Sequence, residues 1–353
     1  MVKPWATSRA VAQPLNENLP AEKEKSPYYH PDEFYPVETG RILNKRYQIA
    51  AKVRHGASSI VWLARDLHRW AWLEEHYKNR QHEGWQYVRK AVGFFTVKGA
   101  LGKHLCVIVE PLREPLSVYW GRFRAEWVIP VELLKRQLQM ILKGLSYLHD
   151  ECHVIYCDLK LDNIMVKVED AAVLARAAHH EYENPMPQKS ARGRIIYQAW
   201  DHLGDLDKRT AVLQIIDFDY AASGDVPQSG TIQIEPYRFP EARPEAGYSY
   251  SADIWSLGVM ILDLLGGEKL FPLSCLRKNG DDGQPHLAHI TALLGFPACS
   301  WQQDRNGIQG RRYSENLRDL GAVRSGFSFE ITVQHIMGEE KRKFIGFERN
   351  MSV

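Results

Sequence analysis

The stretch Val154 to Val166, V-I-Y-C-D-L-K-L-D-N-I-M-V, constrains this chain more than any other. It reads apolar, then polar, then apolar, which predicts a short loop slung between two buried strands. Asp158, Lys160 and Asn163 lie in that loop. A carboxylate, an ammonium and an amide facing one small volume are the groups that phosphoryl transfer from a nucleotide requires. The carboxylate orients the attacking hydroxyl and accepts its proton, the ammonium offsets charge on the moving phosphoryl, and the amide binds a magnesium ion. An Asp-x-Lys pair also arises by chance on solvated loops, so the hexapeptide alone leaves both readings open.

A second signal follows in the right order. Ile215-Ile216-Asp217-Phe218-Asp219 reads as a buried strand ending in an acidic turn, the place for a second metal-binding carboxylate. Through these two motifs the chain resembles the eukaryotic protein kinase family. Tyr156-Cys157-Asp158 stands where the family has His-Arg-Asp, and Asp217-Phe218-Asp219 where it has Asp-Phe-Gly. The most specific match is Y-S-Y-S-A-D-I-W-S-L-G-V from Tyr248 to Val259. It resembles the kinase helix whose aspartate, here Asp253, hydrogen-bonds the catalytic loop from below; the bland alternative is a buried apolar helix. The tracts 155–166, 231–233 and 247–265 are most similar to fungal SR-protein-kinase-like sequences.

The resemblance implies an α+β, bilobal protein-kinase-like fold, with a small β-rich N-lobe lacking one strand and a larger, mostly helical C-lobe. Carried over by position, it implies Asp158 as catalytic base, Lys160 as phosphate contact, and Asn163 with Asp217 as magnesium ligands. Gly56 and Val61 would belong to the phosphate loop and its flank. Glu110 and Leu112 would lie at the hinge, where backbone groups meet an adenine ring. The implied cofactors are ATP and Mg2+, and the implied partner is a protein substrate, in SR-type kinases an Arg-Ser-rich one. The implied activity is serine/threonine protein kinase, impaired by the departures below. A pseudokinase acting as a nucleotide- or protein-binding module is the alternative.

Taken in order, residues 1–40 read as a partly disordered arm, rich in Pro, Asn, Lys and Glu at the start. Residues 41–110 read as the N-lobe. Strand-like runs at Tyr47–Val53 and Ile60–Asp66 flank Arg54-His55-Gly56-Ala57-Ser58-Ser59, a phosphate-loop turn with one glycine where a kinase has two or three. Strand character returns at Tyr87–Phe95 and Leu105–Glu110, with Thr96–Lys103 as the turn between them. Residues 111–353 read as the C-lobe. Pro130 opens a helix with leucines at helical spacing, and a polar spacer fills 167–213. His149 and His153 at the end of that helix are either ligands or, more commonly, packed imidazoles and helix-terminal charges.

Four departures stand out. Asp66 runs almost directly into Trp70-Ala71-Trp72, with no Val-Ala-x-Lys strand, so the hydrophobic face that strand would cover is expected to be partly exposed. Lys78 and Lys90 are weak substitutes for its lysine, and Glu74 or Glu75 a candidate helix partner. Cys157 replaces the arginine that reads an activation-loop phosphate, and Ile234 replaces a threonine. The final helix is expected to be missing, leaving Glu241 without its usual counter-ion, so an incomplete chain is a third reading.

Composition narrows the surroundings. A net charge of +2 and a pI near 8.2 give no basic field for nucleic acid or membrane surfaces. Five dispersed cysteines without C-x-x-C spacing argue for a reducing compartment and against a zinc site. No apolar run approaches the ~20 residues of a membrane span, and no secretory signal is evident. A cytoplasmic or nuclear protein is the resulting expectation.

Overall fold

The computed structural model describes residues 3–6, 8–56, 58–68, 81–124, 130–200, 211–229, 235–237, 247–266 and 269–271, with a few isolated positions beyond. The expectations for Glu74, Glu75, Lys78, Ile234, Glu241 and the Trp70–Trp72 run lie outside the described residues. Along the chain the strands are β1 (Ile42–Leu43), β2 (Tyr47–His55), β3 (Ile60–Asp66), β4 (Ala91–Gly99), β5 (Gly102–Val109), β6 (Leu112–Pro115), β7 (Val154–Ile155), β8 (Ile164–Lys167), β9 (Gln188–Ala191), β10 (Arg194–Tyr197), β11 (Leu213–Ile215) and β12 (Ala222–Ser223). The α-helices are α1 (Leu116–Arg124), α2 (Val131–Ser146), α3 (Ala171–Glu183) and α4 (Ser251–Gly266).

The chain forms two compact units. The first comprises residues 1–77, 89–114 and 166–212. In it β1, β2 and β3 make a three-stranded sheet in that order, and β4 pairs with β5 in a separate hairpin. Phe94 lies opposite Val107 on that hairpin, and both are exposed together with Leu105. These three side chains form an apolar strip on the described hairpin. The hairpin turn is shorter than the sequence suggested: pairing runs out to Gly99 and Gly102, leaving only Ala100 and Leu101 between. At the other end Tyr87 belongs to a 3-10 turn, Glu83–Tyr87, and not to β4.

Two expected boundaries differ from these units. The segment 166–212, read as part of the C-lobe, groups with the first unit. It contains α3, capped by Asp170 whose side chain accepts the Ala172 amide at 2.9 Å, and the β9–β10 hairpin. Arg192 and Gly193 form that hairpin's two-residue turn with φ of +51° and +73°, the primed geometry that matches strand twist and favours glycine at the second place. The second feature is the N-terminal arm, read as partly disordered, which makes specific contacts with distant segments. Trp5 exchanges two backbone hydrogen bonds with the Gln48 amide at 2.9 Å and packs on Tyr182 at 5.5 Å. Pro14 bridges to Gln188, and Arg194 reaches Asp32. Each partner is far away in sequence, so no local periodicity announces the arm's structure.

The second unit comprises residues 78–88, 115–165 and 213–353. Helix α2 begins after Pro130 and buries Leu134, Ile141 and Leu145, as its spacing predicts. It then widens into a π-turn, Tyr147–Glu151. Helix α4 is buried along nearly its whole surface, the mark of a core helix. The 3-10 turn Glu83–Tyr87 approaches α2 so closely that a Cβ on Gly84 would sit 1.7 Å from the Lys143 carbonyl oxygen and 2.8 Å from Tyr147 Cβ. Gly84→Ala is therefore expected to destabilise the chain by about 1–3 kcal/mol through overpacking, read as a lower denaturation midpoint in urea.

Candidate active site

The catalytic-loop residues come together within the second unit. The loop leaves β7, passes Asp158 and Lys160, and enters a 3-10 turn at Leu161–Asn163 before β8. Asp158 is buried, and its Oδ2 accepts Lys160 Nζ at 2.6 Å and Asn163 Nδ2 at 2.7 Å. Asn163 Nδ2 also donates to the Asp158 carbonyl at 2.9 Å, so the amide nitrogen faces Asp158 and the amide oxygen is its acceptor end. Strand β11 lies next to β8 in one sheet and carries the chain to Asp217. The Ile216 amide donates to the Asn163 carbonyl at 2.9 Å, and Tyr156 Oη donates to the Ile216 carbonyl. The peptide just before Asp217 is thus held on both sides. Asp217 itself has φ of +64°, unusual for a residue with a Cβ and kept only where neighbours over-determine it.

Burial, then the carboxylates of Asp219 and Asp158, push the Asp217 carboxyl above its ordinary range, although the Asp219 amide and Lys160 oppose the shift. Three carboxylates crowd one ammonium here, an environment that favours an added cation. Among the described residues no cluster of three or more His, Cys, Asp and Glu side chains makes a metal cage. Magnesium needs no such cage, because that ion binds through one or two protein oxygens together with phosphates.

The loop is held from beneath by α4. Asp253 is fully buried; its Oδ2 accepts the Tyr156 amide at 2.8 Å and its Oδ1 the Cys157 amide at 2.8 Å. His149 Nε2 lies 2.8 Å from the same Oδ2 and its ring packs on Tyr250 at 4.6 Å. His149 is therefore a packed imidazole that supports the loop, while His153, half exposed, lies 3.5 Å from Asp225. Cys157 is buried with φ of +68°, and burial, followed by Asp253, pushes its thiol up to about 12. Beside it, β12 pairs antiparallel with β7, Ala222 opposite Ile155.

The residues expected around the nucleotide lie in the first unit. Gly56 sits in the β2–β3 turn, its amide donating to the Ser59 carbonyl at 2.9 Å, and Val61 follows on β3 opposite Arg54. Glu110 and Leu112 lie between the end of β5 and the start of β6. Leu112 is buried, and the Glu110 carbonyl already accepts Arg89 Nε at 3.2 Å and Nη2 at 2.8 Å. Burial, then Arg54, lowers the Arg89 guanidinium to about 10, against the pull of Glu110. Lys90 is buried just before β4, and Glu110 and Lys167 are among the charges that act on it. Sequence reasoning missed Arg89 and the Tyr156 hydroxyl latch. The only available signal for Tyr156 was a phenol standing at the family's histidine position.

A carboxylate–ammonium–amide loop, fastened by a buried helix aspartate and followed by an acidic turn, is the arrangement expected of the protein kinase class. The protein kinase domain family matches residues 85–320. The chain is also 31% identical to a serine/threonine protein kinase of Aspergillus fumigatus, over 96% of this chain and 89% of that protein. The chain therefore belongs to the protein kinase family. It is 27% identical to the serine/threonine-protein kinase SRPK of Physarum polycephalum, over 86% of this chain and 79% of that one. With SRSF protein kinase 3 of Mus musculus it shares 26% over 49% of this chain and 35% of that protein. The crystal structure of a kinase domain superimposes with a TM-score of 0.62 at 18% identity, covering 90% of this chain and 93% of the other, so the fold is that of a protein kinase. Among the described residues no helix is long and apolar enough to cross a membrane.

Proposed function

We propose that this chain binds MgATP and transfers its γ-phosphoryl to serine or threonine hydroxyls of a protein, with slow turnover. The observation that carries the reading is the junction of Asp158, Lys160 and Asn163 with the Asp217 strand through the Ile216–Asn163 hydrogen bond. Asp158 would accept the hydroxyl proton at its carboxylate, and Lys160 would place positive charge beside the phosphoryl in flight. Asn163 and Asp217 would hold magnesium, whose chemistry when bound is charge neutralisation on the phosphates. Gly56 and Val61 would flank the phosphates and Glu110 and Leu112 the adenine. Slow turnover follows from the missing strand lysine. Loss of one phosphate clamp costs about 3–4 kcal/mol, or roughly 100- to 1,000-fold, by analogy with a lost oxyanion donor. A substrate of the SR-protein type is supported by the name of the SRSF protein kinase relative; Arg-Ser recognition and a cytoplasmic or nuclear setting follow from the family resemblance alone.

A second reading, nucleotide or partner binding without turnover, is favoured by the absent Val-Ala-x-Lys lysine and by Cys157 at the family's arginine position. Thermal stabilisation by ATP with and without magnesium, beside single-turnover phosphorylation of an Arg-Ser peptide and an Arg-Ala control, separates the two. Magnesium-dependent stabilisation with transfer to the serine peptide alone is expected. Stabilisation without transfer would establish the binding module, and no stabilisation would overturn the nucleotide reading.

A further inference from the structure

The Glu22–Lys25 turn of the arm is a second cluster of paired charge, within the first unit. A 3-10 turn has three residues per turn, so successive side chains leave in three directions. The Glu22 carboxylate takes Lys52 Nζ and the Ala199 amide, and lies 3.5 Å from His55 Nδ1. Lys23 Nζ sits 3.4 Å from the centre of the Phe34 ring and donates to the Ser59 carbonyl at 3.2 Å. Glu24 pairs with Lys189 at 2.7 Å. The Ser59 carbonyl is the same oxygen that accepts the Gly56 amide and closes the β2–β3 turn. Glu22 has φ of +45°, a strained value that its three partners hold in place. Two of the three side chains, from Glu22 and Lys23, thus reach the hairpin that carries Gly56.

We propose that Glu22 and Lys23 form an intramolecular clip that fixes the Gly56 turn and thereby raises its affinity for the triphosphate of ATP, a proposal that rests on the nucleotide reading above. A turn with one glycine in place of two or three gains most from being held before ligand arrives, because ordering it on binding would subtract from affinity. The clip grips the turn by a carbonyl and by side chains of the strand leading into it. Glu22, Lys23 and Lys52 are positioning residues, since they act through the hairpin.

The test uses the full chain with Lys23→Met, Lys23→Arg and Glu22→Gln. Burial, then the Lys52 ammonium, lowers the Lys23 ammonium to about 8, so an apolar side chain of similar length at this place is not expected to unfold the protein. Lys23→Met and Glu22→Gln are expected to speed hydrogen exchange at the Gly56 amide. They should weaken MgATP binding about tenfold, equivalent to about 1.4 kcal/mol, with kcat changed less than about threefold; Lys23→Arg should restore both readouts. Unchanged exchange at Gly56 in both variants, or faster exchange with wild-type MgATP affinity, would overturn the clip. Absence of MgATP binding in the wild-type chain is a different result: it removes the nucleotide reading and this proposal with it.

Discussion

Asp253→Ala is expected to lower the melting temperature by on the order of 10 °C. The Asp253 carboxylate is fully buried and joins three partners: the Tyr156 amide, the Cys157 amide and the His149 ring, each at 2.8 Å. Truncation leaves two buried amides without an acceptor, at about 1–3 kcal/mol each. Asn in place of Asp keeps one acceptor oxygen but turns an NH2 group toward donors, so it should recover only part of the loss. His149→Ala should cost less than either, because both amides keep their acceptor. A thermal melt followed by circular dichroism measures all three, and a melting point for Asp253→Ala close to wild type would show that the loop is held by other means.

Asp158→Asn is expected to reduce single-turnover phosphoryl transfer by roughly 10²- to 10⁴-fold, the usual contribution of a positioned general base. MgATP affinity should stay within about threefold of wild type, because Asn163 and Asp217, which the proposed mechanism assigns to the metal, are untouched. The substitution conserves shape in a crowded place: one Asp158 oxygen receives both Lys160 and Asn163. An equal loss of binding and transfer would mean that Asp158 organises the loop and does not act on the hydroxyl.

The catalytic loop was legible in the sequence because chemistry fixes residue types at fixed spacing. Asp158, Lys160 and Asn163 read as one group and are one group in space. Asp253 was legible for the same reason, and helix α2 because leucines and Ile141 repeat at helical spacing after a proline. The arm was not legible. It makes single contacts with residues far along the chain, such as Trp5 with Gln48 and Glu22 with Lys52, and such contacts leave no local pattern. The placement of 166–212 in the first unit was hidden for a related reason: an insert's own helix and hairpin are readable, but not the surface on which they pack. Arg89 escaped notice because a main-chain carbonyl, its partner at Glu110, has no side-chain signature.

The sulfur of Cys157 carries a consequence for control. It is buried against Asp253 and holds its proton at any pH a cell reaches, while the neighbouring segment is docked by the main-chain bonds of β7 to β12. Residue 157 therefore brings no positive charge to this loop, and a phosphate added on exposed Ser223 would not be held by it. Switching through a phosphate read by this residue is not expected, so control by that route has to use other groups.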